Sequence, residues 1–225
     1  MIARRAAVGA LGAFGLGWTG LAHASTYEEF FRAIELDNAQ AVAALLRRGF
    51  DPNARNPKRE PALIVALHGG SPRAAAVLIG ARGLQVNARN PKGETALMMA
   101  ALHGHMEAAR ALLARDADVN QPGWTPLHYA ASSTADEAPA MVALLLEHHA
   151  YIDAASPNGT TPLMMAVRYG RIDAARLLLQ EGADPSLRNE RGLSAIDFAQ
   201  QANRPELVEL VAEAIRQRQP HRGRW

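Results

Sequence analysis

Eight histidines, a Ser132-Ser133 pair and scattered carboxylates are the groups in this sequence that could carry chemistry. His103 and His105 stand two apart, His148 and His149 are adjacent, and His128 stands alone. A catalytic zinc site on a helix sets two histidines one turn apart, so that both rings face one ion, with a nearby glutamate as general base. Neither H-E-x-x-H nor E-x-x-H occurs, so the histidines read as structural or solvated and no metal is expected. Ser132-Ser133 invites a nucleophile, but nothing supplies a base with a defined approach, and the Ser/Thr/Asp/Pro stretch around it reads as a loop. P-loop and G-x-S-x-G motifs are absent. Met98-Met99 and Met164-Met165 suit helix packing better than metal binding or oxidation sensing. No catalytic residue and no cofactor is expected.

Composition narrows the elements that must position these groups. Of 225 residues, 48% are apolar and 20% charged, the balance of a folded chain. Aromatics make up only 5%, which favours helices with small contact residues over a β-sandwich. The absence of cysteine excludes a disulfide scaffold, Cys-ligated zinc, thiol catalysis and lipid attachment through Cys. Residues 1–24 carry Arg4 and Arg5 and no acid; the remainder holds 22 basic and 22 acidic residues. A neutral body gives no warrant for nucleic-acid binding. The one local basic excess is the tail, residues 216–225, with Arg216, Arg218, Arg222 and Arg224.

The start of the chain has the layout of an export signal. A short positive segment is followed by an uncharged run from Ala6 to Leu21, then Ala22-His23-Ala24, a small-x-small cleavage pattern. The run is short and Gly-rich for a membrane span. Cleavage after Ala24 is expected, giving a periplasmic or secreted protein. Arg4-Arg5 faintly resembles a twin-arginine signal, but its flanks fit poorly, which favours a Sec route.

The rest repeats. Pairs of the Leu-Leu type recur at Leu45, Leu78, Leu112, Leu145, Leu178 and Leu210, with first members 33, 34, 33, 33 and 32 apart. A second anchor reads P-A-L-I at Pro61, T-A-L-M at Thr95, T-P-L-H at Thr125, T-P-L-M at Thr161 and S-A-I-D at Ser194. A third is a turn, as in G-F-D-P-N-A at Gly49 and G-A-D-P-S at Gly182. These anchors resemble the ankyrin repeat, most fully over Thr161–Asp184. The resemblance implies an all-α solenoid of about six helix-turn-helix units over residues 25–215, two of them polar caps, with short hairpin loops. Physical chemistry agrees. Thr125 and Thr161 can cap helices, and Pro126 and Pro162 suit a first helical turn. Gly70, Gly104 and Gly170 suit a left-handed turn between helices, where Asn203 replaces Gly. One unit cannot bury its apolar stripe alone, so neighbours must stack.

The fourth unit departs from the period. Leu113 to Thr125 is 12 residues where the other intervals are 15 or 16, and Thr125 to Leu145 is 20 where Thr95 to Leu112 and Thr161 to Leu178 are 17. A short hairpin is thus followed by a long turn within Ser132–Pro139. Either the unit has drifted in a tolerant solenoid, or it is a remodelled binding edge. Trp124, at the end of the short hairpin, is either packed there or exposed as an anchor.

The resemblance implies a non-enzymatic protein-binding scaffold that takes another protein, itself exported, in its concave groove. It further implies that His105 and His128 are structural. Variable, solvent-facing positions are expected in the hairpins, at Arg55, Lys58, Arg89, Lys92, Glu94, Trp124, Asn158, Thr160, Arg188 and Arg191. At the inner helix ends they are His68, Leu102, His103, Ser132, Ser133, Arg168 and Tyr169. Two alternative roles are an immunity-type inhibitor of an exported enzyme and an accessory to an oxidative-stress enzyme such as catalase. The free chain is expected to be monomeric.

Overall fold

The repeated threonines start the helices. Thr161 Oγ1 accepts the Met164 amide while the Thr161 amide donates to Met164 Sδ, both at 3.4 Å. Thr95 and Met98 repeat the arrangement. At Thr125 the amide donates to His128 Nδ1 at 3.2 Å, and at Ser194 both amide and hydroxyl donate to Asp197 at 2.7 Å. Each exchange satisfies amides that a helix start leaves orphaned. Pro126 and Pro162 follow directly inside the cap, where no helical bond is lost.

This computed structural model describes residues 18–218, with side chains from residue 25. Six helix pairs follow one another: α1 (Trp18–Glu35) and α2 (Ala39–Arg47), α3 (Ala62–His68) and α4 (Pro72–Ile79), α5 (Ala96–Leu102) and α6 (Met106–Leu113). After them come α7 (Pro126–Ser132) and α8 (Ala138–Glu147), α9 (Pro162–Arg168) and α10 (Ile172–Gln180), α11 (Ala195–Gln201) and α12 (Pro205–Arg218). The first helices stack as one row, α3 on α5 on α7 on α9 on α11, and the second helices as another. Packing in the second row is thinnest between α6 and α8, and α8 also reaches α5. The only β pairing among the described residues is an isolated Arg55–Pro61 bridge. None of the described helices is long and apolar enough to cross a membrane.

The core is the seam between the rows. Leu78, Leu112, Leu145 and Leu178 are fully buried, while Leu46, Leu146 and Leu179 are half-buried. In the last unit the roles shift to Leu207 and Val211, leaving Leu210 half-buried. Each fully buried leucine contributes roughly 1.5–3 kcal/mol.

Side-chain amides tie unit to unit. Asn53 Oδ1 accepts Gln85 N–H and its Nδ2 donates to Gly83 O (2.7 and 2.9 Å). Asn120 does the same with Tyr151 N–H and His149 O, at 2.9 and 2.8 Å. Asp153 stands at the next equivalent place. It accepts Asp184 N–H at 3.0 Å but, as a carboxylate, cannot donate. Arg218 supplies the missing donor from α12, reaching Gly182 O at 2.6 Å and lying 3.4 Å from the Asp184 carboxylate.

Gly70 and Gly104 take the left-handed turn conformation (φ 71° and 70°), as does Asn203 (φ 53°). Gly170 does not. A Cβ there would lie 1.9 Å from Ala131 O, so glycine is required by the close approach of the preceding unit rather than by φ. The expected leader falls largely outside the described residues; α1 begins at Trp18 and runs unbroken past residue 25. Of the expected basic tail, Arg216 and Arg218 belong to α12, with Arg216 bonded to Glu209 at 2.8 Å. Residues 219–225 lie outside the described residues.

Candidate functional site

Four of the five hairpins are built alike. In the second, Asn90 N–H donates to Glu94 O, and Asn90 Oδ1 accepts the amides of Lys92 and Glu94. Asn56, Ser156 and Asn189 organise the first, fourth and fifth in the same way. These loops hold Arg55, Lys58, Arg89, Lys92, Asn158, Arg188 and Arg191 at exposed positions. Arg55 spans two hairpins, donating to Arg59 O and Arg89 O at 2.8 Å. Arg188 donates to Gly192 O at 2.6 Å. Arg59 adds a further exposed cation, held at φ 63° where the other hairpins place glycine.

The short third hairpin is closed differently. Gln121 Nε2 donates to Trp124 O at 2.8 Å, a side-chain amide doing what a backbone amide does elsewhere. Trp124 is half-buried, with its ring edge-on to His128 at 5.2 Å between centroids. Trp124, His128, Tyr129, Ser132 and Met165 surround a cavity of about 220 Å³. Tyr129 donates to Glu94 Oε1 at 3.0 Å, and burial followed by the Glu94 charge holds its hydroxyl far above the ordinary tyrosine range. The other Glu94 oxygen accepts Asn90 Nδ2 at 2.6 Å, so this acid is committed to its own framework.

At the inner helix ends, Tyr169 is 52% exposed and Arg168 lies over its ring, 5.2 Å from the centroid. Leu102 and Ser132 are half-buried. His68 and His103 are exposed, with His103 Nε2 3.3 Å from His68 Nδ1. Burial, then the neighbouring His68 and His105, hold His103 below the ordinary histidine range. No group of three or more His, Asp or Glu residues placed to hold a metal ion occurs among the described residues.

Two expected contact residues are not on the surface. Ser133 is 1% exposed because its hydroxyl turns inward to donate to Leu102 O at 2.7 Å. Thr160 is 2% exposed, its carbonyl accepting His128 Nε2–H at 2.9 Å. Both are joints between units. His128 accepts from Thr125 on Nδ1, so Nε2 donates to Thr160 O; burial pushes its pKa below the ordinary histidine value. His105 donates from Nε2 to Leu67 O at 3.0 Å. The contribution of Arg59 was missed in the sequence because its position is a glycine in the neighbouring hairpins.

A family model described as ankyrin repeats in three copies matches residues 30–122, 63–156, 116–189 and 139–220. This chain belongs to the ankyrin repeat family. Its ankyrin units make it a protein-binding scaffold. Similar curated proteins include mouse ankyrin repeat and SAM domain-containing protein 6, 40% identical over 109 residues, which are 47% of this chain and 12% of that protein. Human ARF GTPase-activating protein GIT1 is 44% identical over 56 residues, 25% of this chain and 7% of that protein. The chain therefore spans a small part of these relatives. Among solved structures it is similar to a chain of the Bdellovibrio bacteriovorus predatory endopeptidase Bd0816 in complex with immunity protein Bd3460. That match has a TM-score of 0.67 and 25% identity, and covers 82% of this chain and 97% of that one.

Proposed function

We propose that this ankyrin protein is an exported, non-enzymatic inhibitor of immunity type, which neutralises an exported enzyme by covering it with the hairpins and inner helices. The observation that carries this reading is the match along nearly the whole length of a chain from an endopeptidase–immunity protein complex. The site chemistry supports it: His105, His128 and Ser133 are spent on joints between units. Export rests on the arrangement of residues 1–24, and the periplasm of a bacterium is the compartment it suggests.

Two measurements test it. An exported hydrolase captured by this chain, mixed with it, should lose activity in stoichiometric fashion. Full activity retained within a stable complex would leave a scaffold and remove the inhibitor. Protein recovered from the extracytoplasmic fraction should begin at Ser25; an intact Met1 there would overturn the cleaved signal.

A further inference from the structure

The hairpin strip separates its charge. The first, second and fifth hairpins present Arg55, Lys58, Arg89, Lys92, Arg188 and Arg191, all exposed. The tips of the third and fourth, residues 121–124 and 156–160, carry no charge. The acids of the strip offset this only in part. Glu60 and Glu94 are half-buried and accept the side-chain amides of Asn56 and Asn90, which leaves Glu190 as the exposed acid of the tips. Since residues 25–225 hold equal numbers of acids and bases, the pattern is one of placement and not of composition.

The uncharged middle contains the cavity. Its shape answers whether Trp124 is a knob or a wall. The ring is half-buried, counts among the groups packed against the core, and stands edge-on to a fully buried His128. It forms a wall. Met165 lines the cavity from α9, and the Tyr129 ring is fixed by its bond to Glu94. A cavity of about 150 Å³ with apolar walls accepts benzene. The 220 Å³ here suits one benzyl or isobutyl group.

Resting on the reading of the chain as a protein inhibitor, we infer that this cavity receives a single aromatic or large aliphatic side chain of the partner, carried on an acidic loop. Acidic residues on either side of that knob meet the basic hairpins to its left and right. The partner supplies the anchor and this chain supplies the socket. Charges at the rim govern encounter, and the desolvated apolar contact governs residence.

The probe is a short capped peptide, Asp-Glu-Phe-Glu-Asp, followed by NMR on the full chain through the Trp124 indole N–H and the Met165 methyl group. Saturable shifts at both are expected. Replacing the central Phe by Gly, or the acids by Lys, should each weaken binding by about tenfold. Ser132→Leu, which fills the cavity, should remove the preference for Phe over Gly while leaving the melting curve in place. A second filled variant, Met165→Phe, repeats the test should Ser132→Leu unfold. Equal binding of the Phe and Gly peptides would overturn the inference. So would shifts confined to the groove that Arg176, Leu179, Leu210 and Arg218 line between α10 and α12, or shifts at Trp124 that follow protein concentration without peptide, which would mark a second copy as the occupant. Inhibition of an exported enzyme with no effect of cavity filling would sink the socket and leave the inhibitor standing. Peptide seated in the socket with no enzyme inhibited would do the reverse.

Discussion

The third and fourth units are neighbours built from the same pattern, yet they turn between helices in different ways. In the third, His103 ends α5, Gly104 takes φ 70°, and α6 begins two residues later. In the fourth, Ser133 leaves α7 in extended backbone (φ −68°, ψ 141°), and five residues pass before α8. That longer turn presses on both sides. Backwards, Ser133 bonds to Leu102 O, and a Cβ on Gly104 would meet Ala135 at 2.9 Å. Forwards, Asp136 pairs with Arg171 at 2.9 Å, and just before the turn the Ala131 carbonyl, in the last turn of α7, excludes any Cβ at Gly170. The regular turn is a local solution set by one residue's φ. The long turn is a tertiary one that constrains three units at once, and it sits beside the socket.

The sharpest way to break this contrast is an alanine scan of the turn glycines. Gly170→Ala drives a Cβ into a backbone carbonyl that cannot rotate away, and should cost about 3 kcal/mol or more in denaturant melts. Gly70→Ala meets open space and pays only for its left-handed backbone, about 1 kcal/mol. Equal costs would mean that the end of α7 does not press on the fifth unit. Next in size, Ser133→Ala leaves Leu102 O and the Ala135 amide short of a partner and should cost about 1–3 kcal/mol. An unchanged melting curve would show that water replaces the hydroxyl.

A pH dependence distinguishes the same pair of units. The third caps its first helix with Met98 and the fourth with His128. Burial lowers the His128 pKa in the folded chain, so the unfolded chain binds the proton more readily. Stability from this group is complete above pH of about 6.5 and is lost as pH falls below it, at up to roughly 1.4 kcal/mol per pH unit. His128→Met should flatten that part of the curve between pH 7.5 and 5.5; an unchanged slope would assign the loss to other groups. The smallest effect concerns Arg59. Arg59→Gly removes a left-handed arginine and should stabilise the chain by about 0.5–1 kcal/mol while slowing association with an acidic partner. Stabilisation without slower association would make the Arg59 charge incidental.

Much of this architecture was legible before any coordinates. The Leu spacing fixed the units, Thr and Pro marked the starts of the first helices, and the changed intervals placed the long turn within Ser132–Pro139, where it lies. What escaped was set by contacts between units. Gly170 aligns with Gly70 and Gly104, but its reason is a neighbour's carbonyl. Ser133 and Thr160 occupy variable positions, yet the Ser133 hydroxyl turns inward to a carbonyl of the preceding unit and the Thr160 carbonyl takes the His128 ring N–H. The orientation of Trp124 depended on the length of its hairpin and on His128 behind it. Arg218, which gives Gly182 O the donor that Asp153 lacks, comes from α12, at a position that no anchor of the repeat marks.

Partners are bound on the hairpin and inner-helix side, around the third and fourth hairpins and the socket between the fourth and fifth units. A photo-crosslinking amino acid placed at Ser132 or Asn158, and separately at Arg110 or Arg176 on the outer helices, tests it most directly with the inhibited enzyme present. Adducts from Ser132 and Asn158, with none from Arg110 and Arg176, are the predicted result. Adducts from the outer helices alone would contradict the account.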